Sequence, residues 1–101
     1  MFYIYILYSE SADRYYIGQT NDVVRRLEEH NTAEKNSYTA KYRPWVLKAK
    51  FPVSESLGEA RIVENYIKRQ KSRKIIEILI QDPHEFEKIA QVVRAVPTRR
   101  D

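Results

Sequence analysis

The sequence has no cysteine, which excludes disulfide bonds and thiolate metal sites. It also has no apolar run near the roughly 20 residues that a membrane-spanning helix needs. Its apolar start, MFYIYILYSE, carries no basic leader, so it reads as a first strand and not as a signal peptide. A cytoplasmic location without membrane attachment is the expectation. Internal repeats, low-complexity tracts and linkers are missing too. The 101 residues therefore suggest one compact domain over 1–96 and a loose tail at 97–101. Charge of one sign is only mildly in excess: 18 Lys and Arg against 14 Asp and Glu leave +4. That suits a polyanionic partner without requiring one.

Two tyrosine-rich tripeptides are present instead, Tyr3-Ile4-Tyr5 and Tyr16-Ile17-Gly18. A core does not require phenols at this spacing, whereas a catalytic or phosphate-binding surface does. Both fall in β-prone runs. Phe2 to Tyr8 and Arg14 to Gln19 are rich in aromatic and β-branched residues, and Ser9 to Asp13 reads as the turn between them. Thr20-Asn21-Asp22 supplies N-cap candidates for a helix from Asp22 to about His30, with Asn31 as its stop. Residues 32–43 show no period and read as a loop. Trp45 to Val53 reads as a third strand, with Val46, Lys48 and Lys50 alternating against Leu47, Ala49 and Phe51.

Ser56-Leu57-Gly58-Glu59 fits a capping box, so a second helix is expected to about Lys71. The stretch Ile75 to Ile80 reads as a short helix, although its isoleucines also permit a strand. Asp82-Pro83-His84-Glu85 is a helix start, followed by the apolar stripe Phe86, Ile89, Ala90 and Val93. The order β-β-α-β-α-α-α predicts an α+β fold: a small three-stranded antiparallel sheet flanked by helices.

Some polar residues sit oddly on these helices. Arg26 lies roughly 60° from Val23 and His30 roughly 20° from it, whereas Arg25 lies about 160° away. Arg26 and His30 thus flank the buried seam, and Arg25 should face water. The plain reading of Arg26 is a stem laid over the core edge. In the second helix Glu64 falls about 40° from Ala60, inside the stripe formed by Ala60, Val63 and Ile67. A buried Glu needs a partner, either Arg26, a neighbouring Lys or a divalent cation. Lys68, Arg69, Lys71, Arg73 and Lys74 follow within a few residues, and Lys41 and Arg43 come from the loop. Such a run is either a solvated face or a positive surface for a polyanion. Tyr38, Tyr42 and Trp45 are interleaved with the loop bases and are candidates for stacking on nucleotides, although Trp45 also suits the core.

Taken together, these residues resemble the GIY-YIG nuclease domain in its small stand-alone bacterial form, over about residues 1–80. The first motif reads Tyr3-Ile4-Tyr5. The second reads Tyr16-Ile17-Gly18 and continues through Arg25-Arg26-Leu27-Glu28-Glu29-His30-Asn31. By position, the resemblance implies catalytic roles for Tyr5, Tyr16, Arg26, His30 and Glu64. Glu64 would bind a single Mg²⁺ or Mn²⁺ ion. DNA is the implied substrate, with Lys41, Arg43, Lys68 and Lys71 as candidate contacts, and repair or recombination as the setting. The first motif departs from the pattern by starting with Tyr3 instead of Gly. The Asn that some relatives carry beyond the catalytic Glu has no match, since that region reads Ile75-Ile76 and later Gln81-Asp82. No targeting module is recognisable, so substrate choice would fall to the domain surface, a homodimer or a partner protein. Two other functions compete: an inactive nucleic-acid-binding module of the same fold, and a protein-interaction domain using the tyrosine face.

Overall fold

The computed structural model describes residues 1–32 and 38–95. The expected tail at 97–101 lies outside them, as does the side chain of Tyr38. Strands β1 (Phe2–Ser9), β2 (Arg14–Thr20) and β3 (Trp45–Ser54) form one antiparallel sheet in the order β2-β1-β3. Helices α1 (Val23–Thr32), α2 (Tyr38–Lys41), α3 (Leu57–Arg69), α4 (Arg73–Gln81) and α5 (Pro83–Ala95) cover it. The expected α+β class and order hold. The segment read as a loop contains the one-turn α2, too short to show a period.

β1 is the central strand, so both of its faces are buried and its alternation serves two cores. Ile4 and Ile6 join Ile17, Phe51 and Val53 against Val63, Ile67, Phe86 and Ala90 of α3 and α5. There the rings of Phe51 and Phe86 stack at 4.1 Å. Tyr5 and Leu7 face the other way, onto Val23 of α1 and Trp45. Exposure along β3 alternates as its sequence suggested, but the inward residues do not all cover the same face. Ile6 pairs with Ala49 while Leu7 pairs with Leu47, so Lys48 is an extra residue in a bulge. Leu47 and Trp45 therefore turn to the α1 face, whereas Ala49, Phe51 and Val53 pack on the α3 and α5 face.

Local chemistry sets the helix starts. Asp22 caps α1, its Oδ1 accepting from the Arg25 N–H at 3.0 Å. Ser56 caps α3 as expected, but the box is only half made: the Ser56 N–H donates to Ser54 Oγ and not to Glu59. Ser72 caps α4 by accepting from the Ile75 N–H, which settles the Ile75 to Ile80 stretch as helix with Leu79 buried. Asp82 ends α4 through its N–H to Ile78 O, and its carboxylate accepts from His84 N at the start of α5. The β1–β2 turn is tied down as well: Arg73 of α4 reaches both the Asp13 carboxylate and its carbonyl.

α1 runs through Asn31 to Thr32 and does not stop there. Asn31 instead works as a clamp. Its Oδ1 accepts from Trp45 N at 2.7 Å and its Nδ2 donates to Trp45 O at 3.0 Å. The side-chain amide thus copies a β-strand partner and fixes the end of α1 against the start of β3.

Candidate active site

Register brings the two tripeptides side by side. Tyr5 of β1 lies directly across from Gly18 of β2, and Tyr16 follows two residues back along β2. Gly18 gives the Tyr5 ring its space. A Cβ there would lie 2.6 Å from Tyr5 Cζ and 2.9 Å from Cε1, well inside ordinary contact distance. Gly18 has no positive φ, so room and not backbone freedom requires it. Its part in placing Tyr5 was not apparent from sequence, because the signal is cross-strand pairing.

The Tyr5 side chain is buried, and its hydroxyl lies 2.9 Å from His30 Nε2. His30, 3 % exposed, is supplied by the last turn of α1. The Tyr16 ring stands edge-on to the His30 ring at 4.8 Å and lies 6.2 Å from the Tyr5 ring. Arg26, one turn before His30, is half-buried and near enough for its charge to act on Tyr5 and His30, while its Nη1 pairs with Glu29 at 3.0 Å. Arg25 faces solvent and pairs with Asp22 and Glu29, as its helical phase required.

These surroundings decide protonation. Burial pushes the Tyr5 hydroxyl well above the ordinary phenol range. The Tyr16 hydroxyl and the Glu64 charge add to that rise, while the Arg26 guanidinium opposes it. Burial also lowers the His30 pKa from 6.5 to about 4, helped by the Arg26 charge. Near neutrality the pair is thus a protonated phenol beside a neutral imidazole. The Tyr5 O–H can then donate to Nε2. In the free protein, desolvation of the Tyr5 hydroxyl outweighs the Arg26 charge.

Glu64 projects from α3, whose Ala60, Val63 and Ile67 are buried. Its side chain is 14 % exposed and its Oε2 lies 2.7 Å from Lys68 Nζ. Of the partners expected for a buried Glu, a neighbouring lysine is the one present. Among the described residues no three His, Asp or Glu side chains converge. A metal held by Glu64 would take most of its ligands from water, a donor set that fits Mg²⁺, which keeps several waters.

The four basic candidates have different settings. Arg43 donates through Nε to the His30 carbonyl at 2.8 Å, which places it behind the end of α1. Lys41 lies over the Tyr42 ring, whose face also holds Arg14. Lys68 and Lys71 line a groove of about 450 Å³ beside Tyr16, together with Arg14 and Arg73. Trp45 is core: it is 2 % exposed and its Nε1 donates to Thr39 O, which removes it from any stacking surface. Tyr3, which stands where the motif usually starts with Gly, packs on the Tyr5 and Trp45 cluster.

A family model for the GIY-YIG catalytic domain matches residues 1–76. That domain is a nuclease domain, whose substrate is nucleic acid. No curated protein and no solved structure matches the chain.

Proposed function

The chain belongs to the GIY-YIG family, and from that premise we propose that it is a metal-dependent DNA endonuclease with some selectivity for DNA structure. A cytoplasmic role in repair or recombination goes with this reading, as does targeting by a homodimer or a partner protein. The observation that carries it is the buried contact between the Tyr5 hydroxyl and His30 Nε2, with the Arg26 charge acting on both groups.

In this reading the Tyr5 oxygen accepts a proton from the attacking water while its own proton passes to neutral His30. The relay avoids a free phenolate, which the burial of Tyr5 disfavours. Arg26, one turn before His30 on α1, can fork its guanidinium onto the scissile phosphate. Tyr16 borders the phosphate position and packs its ring edge-on to His30, fixing the imidazole orientation. Glu64 would hold a single Mg²⁺ or Mn²⁺ ion, which when bound supplies Lewis acidity at the phosphoryl and leaving oxygens. Lys68 and Lys71 would contact the nucleic-acid backbone on the groove side. Lys41 and Arg43 would do so less directly, given their contacts with Tyr42 and the His30 carbonyl.

One observation favours a second reading, a nucleic-acid-binding module without useful activity: the Glu64 carboxylate already carries the Lys68 ammonium. The two readings part on one experiment. Branched, flap, single-stranded and duplex DNA are incubated with Mg²⁺ or Mn²⁺ and the protein, beside Glu64→Gln, Arg26→Ala and Tyr5→Phe. The nuclease reading expects cleavage by the wild type and loss in all three variants, with DNA binding nearly intact in Tyr5→Phe. Salt-sensitive binding with no cleavage by the wild type supports the second reading. Cleavage retained by Tyr5→Phe would remove the relay.

A further inference from the structure

Glu64 and Lys68 are one turn apart on α3, yet their side chains are unequally placed. Glu64 is 14 % exposed and held by its helix face, whereas Lys68 is 47 % exposed on a long flexible stem. The ammonium has come to the carboxylate, at 2.7 Å, and lies 5.9 Å from the Tyr16 ring centroid. It therefore occupies the active-site side of the helix. Among the described residues no cluster of acids offers a divalent ion another seat there.

We propose that Lys68 is an internal counter-cation that competes with the divalent ion for Glu64 until a substrate phosphate draws its ammonium away. The proposal rests on the reading of Glu64 as the metal-holding group. An ammonium and a divalent ion on one carboxylate are only a few ångströms apart. At that separation their repulsion weakens the ion by on the order of tenfold, even at the dielectric constant of water. Lys68 also has somewhere to go. It lines the groove of about 450 Å³ with Arg14, Tyr16 and Lys71, where basic groups from β2 and the α3–α4 turn would gather an anionic backbone. The groove's carboxylate, Asp13, is held by Arg73, which leaves a substrate phosphate as the natural new partner. Free protein would then bind metal weakly, and metal and nucleic acid would enter together.

The test titrates Mn²⁺ into the free protein and counts unbound ion by electron paramagnetic resonance. Lys68→Met is expected to bind Mn²⁺ about tenfold more tightly than the wild type. Lys68→Arg, which keeps the charge, should stay as weak as the wild type, and Glu64→Gln should lose the site. Equal affinity of Lys68→Met and wild type, with the site still lost in Glu64→Gln, would overturn the competition. Absence of Mn²⁺ binding in all of them would instead overturn the reading of Glu64 as a metal ligand. In cleavage assays Lys68→Met should need less Mg²⁺ for half-maximal rate but show a raised KM for DNA. An unchanged KM would refute the transfer of Lys68 to substrate.

Discussion

Gly18→Ala is the sharpest perturbation of the site that leaves every polar group in place. The added Cβ would meet Tyr5 Cζ at 2.6 Å and Cε1 at 2.9 Å, so the ring must retreat by roughly 1 Å to restore normal contact. It has little room to do so, being 1 % exposed and joined to His30 at 2.9 Å. Overpacking of this kind costs about 1–3 kcal/mol, and a weakened buried hydrogen bond adds about 1 kcal/mol. Replacing Gly by Ala returns only about 0.4–1 kcal/mol through the unfolded chain. The clash wins, by about 2 kcal/mol net, which corresponds to a fall in Tm of roughly 10 °C for a domain of this size. A misplacement of about 1 Å in a catalytic group should also slow cleavage on the order of 100-fold. Thermal melts by circular dichroism and single-turnover DNA cleavage read the two effects. On a Tyr5→Leu background the atoms that clash are gone, so the stability penalty of Gly18→Ala should largely vanish. If Gly18→Ala melts and cleaves like the wild type, or costs as much on the Tyr5→Leu background as it does with Tyr5 present, the reasoning about Gly18 is wrong.

Two further outcomes follow from the same region. His30 has its proton affinity lowered to about 4 in the fold against 6.5 outside it. As pH falls through 6.5 the unfolded chain takes up a proton that the folded protein refuses. Stability should therefore be complete above that value and drop towards pH 4, by up to about 3 kcal/mol. His30→Gln, which does not titrate, should flatten this part of the profile of urea midpoints, and an unchanged slope would clear His30. Asn31→Ala removes both bonds to the Trp45 backbone and should cost about 1–3 kcal/mol in urea unfolding. A wild-type midpoint would show that the clamp is dispensable.

The elements were legible where local chemistry sets them. Asp22, Ser56 and Asp82 announce helix starts, and Arg26 and Glu64 stand out because a 3.6-residue period puts polar groups beside apolar stripes. The β3 bulge was not legible. Lys48 looks like one more exposed residue in an alternating run, and only pairing with β1 shows that the phase changes there. Asn31 looked like a helix stop because a side-chain amide often ends helices, and its bonds to Trp45 cross a stretch the sequence leaves featureless. Trp45 could be read as core or as a stacking platform until its indole N–H was seen buried against Thr39.

Motif spacing and helical phase, properties of the chain alone, carried the family and the α+β class and singled out five polar positions as candidates. Tertiary structure decided what those positions do to one another. Cross-strand register set Tyr5 over Gly18, burial kept the phenol protonated and His30 neutral, and the α3 face gave Glu64 to Lys68. Each depends on desolvation and distance between segments far apart in sequence, which local patterning does not encode.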